Sequence, residues 1–243
     1  SGNTSEALSI LDQAKSLDCN LIAVSSGGKI EQICNENKIE YRKIKEYNSP
    51  RASLVSFIFS MLKILKFIIP IKEEDIIESL ENLKQLQNKI SSNNLTDSNK
   101  ALSLAKEISG IPLIYYPWGL QAAGIRFKNS LQENAKMHAM VEDVVEASHN
   151  GIVAWEQKSQ VFPILLQGDG DNIKTKERWD VIKIYFDTNQ IEYKEIFSIK
   201  GNILSKLMHL IYLLDYTSIY KAVISKIDPT PVKSIDFIKS RLE

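Results

Sequence analysis

The sequence predicts an α/β protein with mainly parallel sheets flanked by helices, and two features of the chain indicate that class. Short apolar runs, such as residues 21–24, end in small or turn-forming residues and have the length of buried parallel strands. Longer segments with the apolar spacing of helices lie between these runs. Strands that alternate with helices favour an open sheet covered by helices.

The first part of the chain shows this alternation on a small scale. A helical spacing begins at Ala7, the strand at 21–24 ends in Ser-Ser-Gly-Gly, and a short helix over 29–37 leads to a second strand at 39–44. Pro50 and Arg51 then begin an apolar helix that we expect to continue to about Phe67.

The second part of the chain repeats the alternation over a longer stretch. Residues 72–108 are polar and helical, and Ser-Ser-Asn-Asn at 91–94 predicts a loop and a possible domain junction. We expect strands at 111–116, 162–166 and 192–197, and helices at 119–140, 173–186, 202–224 and 231–242. The pattern predicts two related α/β domains, 1–70 and 71–243, of which the first lacks its opening strand and helix.

Composition excludes several classes of function. The 243 residues contain 30 basic and 30 acidic side chains, and this balance argues against a general nucleic-acid binder. Lys63, Lys66 and Pro70 interrupt the most apolar segment, so we expect a buried or interface helix and no membrane span. Cys19 and Cys34 match no metal or redox spacing, which favours small core residues in a reducing cytoplasm.

The opening residues Ser1, Gly2, Asn3 and Thr4 are a candidate phosphate loop. Hydroxyl groups and free backbone N–H groups at the start of a helix attract an anion, and the helix dipole adds to that attraction. The alternative is an ordinary N-cap with a capping box, in which Thr4 or Ser5 pairs with a nearby glutamate.

A second candidate segment lies in the helix predicted over 119–140. Arg126, Ser130, Glu133 and Lys136 are three or four residues apart, which places them on one helix face. If that face borders a cleft, Glu133 is a carboxylate able to move a proton. If the face is solvated, Glu133 simply pairs with neighbouring positive charges.

The three histidines and the C-terminal lysine have different settings. His149 lies between Ser148 and Asn150, where an imidazole can transfer protons near neutral pH, although a bond to local backbone explains it equally well. His138 and His209 are expected at the edge of the core. The histidines do not form a convincing metal site with Asp or Glu, so we expect no metal and no cofactor. Lys239 lies in the last predicted helix, which follows a proline-rich turn and whose apolar side is expected to dock. The alternative for Lys239 is an ordinary exposed lysine near the end of the chain.

The order of these segments along the whole chain resembles one family, the bifunctional phosphoglucose/phosphomannose isomerases, which contain two sugar isomerase (SIS) domains. The segments that carry the resemblance are the phosphate loop, Pro-Arg at 50–51, Gln-Glu-Asn-Ala-Lys at 132–136, Ser-His-Asn at 148–150, Asp-Tyr-Thr-Ser-Ile-Tyr at 215–220, and Asp-Pro-Thr-Pro-Val at 228–232 with Lys239. The resemblance implies a cytoplasmic enzyme of glycolysis and gluconeogenesis. Its expected reaction interconverts glucose 6-phosphate, and mannose 6-phosphate, with fructose 6-phosphate through a cis-enediolate.

The resemblance also implies roles for single residues. The loop from Ser1 to Thr4 is expected to hold the sugar phosphate, Glu133 to move the proton between C1 and C2, and Arg51 to stabilise the enediolate. His149 is expected to assist ring opening in the neighbouring subunit of a homodimer. Lys239 is expected to act on the ring oxygen.

The sequence departs from the family pattern at its beginning. Family members carry a strand, helices and a Gly-Gly-Ser type loop before the phosphate loop, so the first domain is expected to be incomplete. The sequence leaves open whether such a chain is active and whether it uses both C2 epimers. Three alternatives remain: a non-catalytic SIS module that binds a sugar phosphate, the isomerase half of a glucosamine-6-phosphate synthase, and, more distantly, a structural or interaction protein.

Overall fold

A computed structural model describes residues 2–242 of the chain. Their contacts divide the chain into two compact units, with the division after Lys72. The loop at 91–94, which the sequence suggested as a possible junction, lies inside the second unit. Whether each unit is a domain of the SIS family as expected stays a prediction.

The first unit has a small parallel sheet. Strands β1 (Ile22–Ser25) and β2 (Glu40–Lys43) pair in parallel, with Ile22 opposite Glu40. Helices α1 (Ser5–Ala14) and α2 (Gly28–Asn37) belong to the same unit, and their side chains form a core of Leu11, Ile30 and Cys34. Cys34 is a core residue as predicted, whereas Cys19 is exposed and the prediction for it is wrong.

The apolar segment that follows is less buried than the sequence predicted. A 3-10 turn (Pro50–Ser53) leads into helix α3 (Leu54–Ile64), and Leu62 is the buried residue of that helix. The helix ends before the predicted Phe67, and the side chain of Phe67 is 89% exposed. Within residues 2–242 no helix is long and apolar enough to cross a membrane.

The second unit is built on a four-stranded sheet in which every pairing is parallel. The strands are β3 (Ile111–Tyr116), β4 (Met140–Asp143), β5 (Val161–Gln167) and β6 (Lys194–Phe197), in the order β4-β3-β5-β6. In β5 every residue after Val161 is buried, which is the pattern of a strand covered on both faces. The predicted α/β class with parallel sheets is confirmed.

Helices surround this sheet and supply most of the core. They are α4 (Glu73–Ile90), α5 (Lys100–Glu107), α6 (Gln121–Ala135), α7 (Val144–Ala147), α8 (Ile173–Thr188), α9 (Ile203–Ile224) and α10 (Lys233–Leu242), with a 3-10 turn at Gly151–Glu156. Helix α9 packs against α4, α5 and α6. A second cluster joins Tyr115 of β3 to Trp179 and Phe186 of α8.

The helix predicted over 119–140 is wrong at its C-terminal end. Helix α6 stops at Ala135 because Lys136 adopts the left-handed conformation (φ 55°) and its N–H bonds Leu131 O. The chain then turns back to the sheet and forms β4. His138 consequently lies in an exposed connection, so its prediction as a helix residue at the edge of the core is wrong.

Helix α10 does not dock as the sequence predicted. None of its residues is buried, and Ile235 and Ile238 are 39% and 57% exposed. The apolar spacing of this helix is correct, but within residues 2–242 no surface buries its apolar side.

Candidate active site

The candidate phosphate loop lies against a second glycine-containing turn. Gly2 has φ +77°, and its carbonyl oxygen accepts a hydrogen bond from Ile30 N at 3.0 Å. Asn3 Oδ1 accepts a second bond from Lys29 N at 2.9 Å. A Cβ at Gly2 would lie 1.9 Å from Gly27 O, so only glycine permits this approach. Ser1, the first residue of the predicted loop, lies outside the described residues.

This packing brings the N-termini of α1 and α2 together. Thr4 is the N-cap residue of α1, its carbonyl oxygen accepts Leu8 N at 3.0 Å, and its side chain makes no capping hydrogen bond. Ser5 Oγ donates to Glu6 at 3.1 Å, so the capping box is not formed. Two helix N-termini side by side are a setting that favours an anion, and the role of the loop in binding phosphate stays a prediction.

Arg51 lies in the 3-10 turn between β2 and α3, in the first unit. The turn is held by Ser53, whose hydroxyl accepts Tyr47 N at 2.9 Å and donates to Ser49 O at 3.1 Å. Pro50 fixes the first residue of the turn. The Arg51 side chain is half-buried, so its guanidinium group is only partly exposed to solvent.

Glu133 lies in the last turn of α6, in the second unit, and is half-buried. The exposed Lys136 directly after the helix donates from Nζ to Glu133 O, and also to Pro229 O at 3.2 Å. The end of α6 is therefore tied to the proline-rich turn that precedes α10.

The other predicted polar residues of α6 contact a residue that the sequence did not single out for chemistry. Arg126 Nε and Nη2 donate to the carboxylate of Asp215 on α9 at 3.0 and 2.9 Å, and Ser130 Oγ bonds the same carboxylate. Asp215 lies 89 residues from Arg126. Its only signal in the sequence is its place in the segment Asp-Tyr-Thr-Ser-Ile-Tyr.

His149 is exposed, in the turn between α7 and the 3-10 turn at Gly151–Glu156. Its backbone N donates to Glu146 O at 2.9 Å, and the neighbouring Asn150 Nδ2 donates to Glu146 Oε1 at 2.6 Å. The imidazole is thus presented at the surface by a turn that is fixed through local hydrogen bonds.

The sequence analysis missed a half-buried carboxylate close to this turn. Glu142 on β4 lies opposite Tyr115, and a Cβ at Gly151 would come within 2.6 Å of its carboxylate. Burial raises the pKa of Glu142, and the negative charge of Glu146 raises it further. The residue was missed because the sequence assigned Met140 to the end of a helix and predicted no strand after it.

Tyr115 stays protonated beside this carboxylate. Burial raises the pKa of the phenol to about 12, against the opposing effect of a hydrogen bond from Trp155 Nε1 at 2.9 Å. Tyr115 therefore acts as a neutral hydrogen-bonding group, with its ring in the core cluster of α8.

Lys239 is exposed on α10. In the turn before the helix, Thr230 N donates to Asp228 Oδ1 at 2.9 Å, and this hydrogen bond lowers the pKa of Asp228. The turn is ordered by this bond and by Lys136, but the helix after it has no buried face.

No group of three or more His, Cys, Asp or Glu side chains in residues 2–242 is arranged to hold a metal ion. The candidate residues Glu133, His149, Arg51 and Lys239 carry carboxylate, imidazole, guanidinium and ammonium groups.

Comparison with known proteins identifies the family. Residues 97–242 match the bacterial phospho-glucose isomerase C-terminal SIS domain. A bifunctional phosphoglucose/phosphomannose isomerase of Caldicellulosiruptor bescii is 30% identical over 250 residues, which cover 100% of this chain and 74% of that protein. The chain belongs to this family. The predicted resemblance is confirmed, and the chain is a member of a family of sugar-phosphate isomerases.

Two further comparisons show how broad the relationship is. A D-glucosamine-6-phosphate 4-epimerase of Sulfolobus acidocaldarius is 29% identical over 172 residues, which cover 70% of this chain and 54% of that protein. The crystal structure of a tagatose-6-phosphate ketose/aldose isomerase from Escherichia coli superimposes with a TM-score of 0.70 at 12% identity, over 96% of this chain and 68% of that one. The structural likeness establishes a shared SIS-type fold.

Proposed function

We propose that this chain interconverts glucose 6-phosphate and mannose 6-phosphate with fructose 6-phosphate. The observation that carries the proposal is the family match over residues 97–242, since this segment contains the candidate residues Glu133, His149 and Lys239. The bifunctional relative that covers the whole chain supports the same reaction.

In the proposed mechanism Glu133 removes the proton from C2 of the open-chain aldose and returns it to C1. The electron pair of the broken C2–H bond forms the C1=C2 bond of the cis-enediolate, and the carbonyl electron pair moves to O1. The hydroxyl proton of O2 passes to O1, and the proton held by Glu133 then adds to C1 and completes the ketose. Arg51 stabilises the negative charge of the enediolate, and the loop from Ser1 to Thr4 binds the phosphate. His149 and Lys239 assist ring opening: as the bond between C1 and the ring oxygen breaks, Lys239 donates a proton to the ring oxygen and His149 accepts the proton of the C1 hydroxyl, which becomes the aldehyde.

The variant Glu133→Gln tests the central step. Loss of a general base is expected to lower kcat about 10²–10⁴-fold while the affinity for the sugar phosphate stays similar. The matched control is Gln132→Ala, because Gln132 is the exposed neighbour of Glu133 on the same helix. Near-normal turnover in Glu133→Gln would remove Glu133 from the mechanism.

The assay needs three aldoses, because one relative is named for a different reaction. Glucose 6-phosphate and mannose 6-phosphate should each give fructose 6-phosphate. Glucosamine 6-phosphate is included because of the relative named as a 4-epimerase. Binding of a sugar phosphate without turnover would instead favour the non-catalytic SIS module.

We also propose that the chain acts as a homodimer and that His149 serves the active site of the neighbouring subunit. The exposure of His149 on a fixed turn supports this arrangement. Mixing the inactive variants Glu133→Gln and His149→Ala should then restore activity, because each mixed dimer contains one site with both groups intact. Failure to complement, in samples shown to exchange subunits, would contradict a shared site. The cytoplasmic location stays a prediction.

A further inference from the structure

A continuous set of polar contacts joins α6 to α9. Arg126, Ser130 and Asn134 lie four residues apart and form one stripe of α6. Arg126 and Ser130 bond the carboxylate of Asp215, and Asn134 Nδ2 donates to Ser218 Oγ at 2.8 Å. We call these five residues the α6–α9 ladder.

The α6–α9 ladder is shielded from water. The side chains of Arg126 and Asp215 are 18% and 24% exposed, Asn134 is 5% exposed, and Ser218 is fully buried. Two guanidinium nitrogens of Arg126 bond the carboxylate of Asp215, and such a bidentate pair fixes the relative orientation of the two groups as well as their distance. Apolar side chains of the same size often stabilise a helix pair equally well, so stability alone does not explain the ladder. We attribute to it a different role, which is to fix the register of α6 against α9.

The ladder ends at the candidate base. Glu133 lies three residues after Ser130 and directly before Asn134, in the last turn of α6. A rotation of α6 about its axis, or a shift along it, would break the ladder and would displace the Glu133 carboxylate together with the helix. Rates of proton transfer fall steeply when the base is misplaced by as little as about 1 Å.

We propose that Asp215 is a positioning residue for Glu133. It accepts the bonds of Arg126 and Ser130, and through them it fixes the rotation of the last turn of α6 and the direction of the Glu133 carboxylate. The proposal rests on the proposed function as far as the role of Glu133 is concerned. The mechanical part, the restraint of the helix end, does not depend on that function.

The variants Asp215→Asn and Asp215→Glu test the catalytic part. Asp215→Asn keeps the shape but removes the charge, and is expected to lower kcat about 10–100-fold with less than about a threefold change in KM. Asp215→Glu restores the charge on a longer side chain and should recover part of the loss. The control is Glu107→Gln, which removes the ion pair with Lys194 and should leave both constants unchanged. Assays are run well below the unfolding temperature of each variant.

Hydrogen–deuterium exchange tests the mechanical part without any activity. In Asp215→Asn the amides of residues 130–136 should exchange about tenfold faster or more, while those of β5 keep their wild-type rates. Unchanged exchange at 130–136 overturns the proposal. The proposal is also overturned if Glu107→Gln lowers kcat as much as Asp215→Asn does, or if KM in Asp215→Asn changes as much as kcat. If the wild-type chain has no isomerase activity, the proposed function fails while the exchange result still decides whether Asp215 restrains α6.

Discussion

His209, in the second unit, has a strongly lowered pKa. Its side chain lies on α9, and its Nδ1 is buried without a hydrogen-bond partner in the described structure. Burial lowers the pKa of the imidazole to about 4, and the positive charges of Lys100 and Lys89 lower it further. The folded protein therefore holds this imidazole neutral at pH values at which the unfolded chain binds a proton.

The pH dependence of stability follows from that difference. Between about pH 6.5, the ordinary value for histidine, and about pH 4, the unfolded chain binds more protons at this residue, so stability falls as pH is lowered. The melting temperature of the wild type should thus drop more steeply from pH 7 to pH 5 than that of His209→Leu. His138→Leu, at an exposed histidine, controls for the loss of an imidazole as such. Equal slopes in wild type and His209→Leu would contradict the prediction.

At the scale of single residues, local spacing identified candidate residues on one helix but not the distant residues that they contact. The spacing correctly placed Arg126, Ser130 and Glu133 on one helix. Asp215 could not be found in this way, because a contact across 89 residues leaves no periodic signal. Glu142 was missed for a related reason: its setting depends on a parallel strand pairing that only the folded sheet creates.

Asn99 determines where α5 begins. Its Oδ1 accepts Leu102 N at 3.0 Å as the N-cap, and its Nδ2 lies within 3.2 Å of Ile90 O, Asn94 O and Tyr220 OH, which share its two protons. The side chain is completely buried. One residue therefore connects the end of α4, the loop after it, the start of α5 and helix α9.

Asn99→Ala should destabilise the second unit more than loss of an ordinary cap. The expected cost is about 2–4 kcal/mol, because the cap is lost together with the hydrogen bonds of Nδ2 to Ile90 O and Asn94 O. Asn172→Ala is the matched control, since Asn172 caps α8 at an exposed position and should cost about 1 kcal/mol. Urea unfolding measures both variants. A similar loss in the two would show that the buried bonds of Asn99 contribute little.

At the scale of elements, prediction succeeded where a segment carries its own signal. The apolar runs of β3 and β5 and the long helices α8 and α9 were identified from their residues alone. Strand β4 was not, because Met-Val-Glu-Asp has no strand alternation and follows a helix without a glycine or proline. Residues 140–143 form a strand because they pair with β3, and helix α6 before them ends where Lys136 adopts the left-handed backbone conformation. The docking of α10 failed because an apolar stripe predicts a contact without showing which surface supplies it.

The two units differ in the amount of structure that supports their sheets. In the described residues the first unit has two paired strands, and its β1 contains the 41%-exposed Ile22. The second unit has four strands, and β5 is paired on both sides and buried almost throughout. A two-stranded sheet is only marginally stable without further packing.

Local stability should therefore differ between the units of the full chain. Native-state hydrogen exchange should show amides of β1 exchanging at least about 100-fold faster than those of β5, because opening β1 exposes less apolar surface and breaks one strand pairing where β5 breaks two. Limited proteolysis is expected to cut first within residues 1–72 and to leave 73–243 intact for longer. The same rates in β1 and β5 would mean that both units open in one cooperative event, and the first unit would then draw its stability from contacts outside its own sheet.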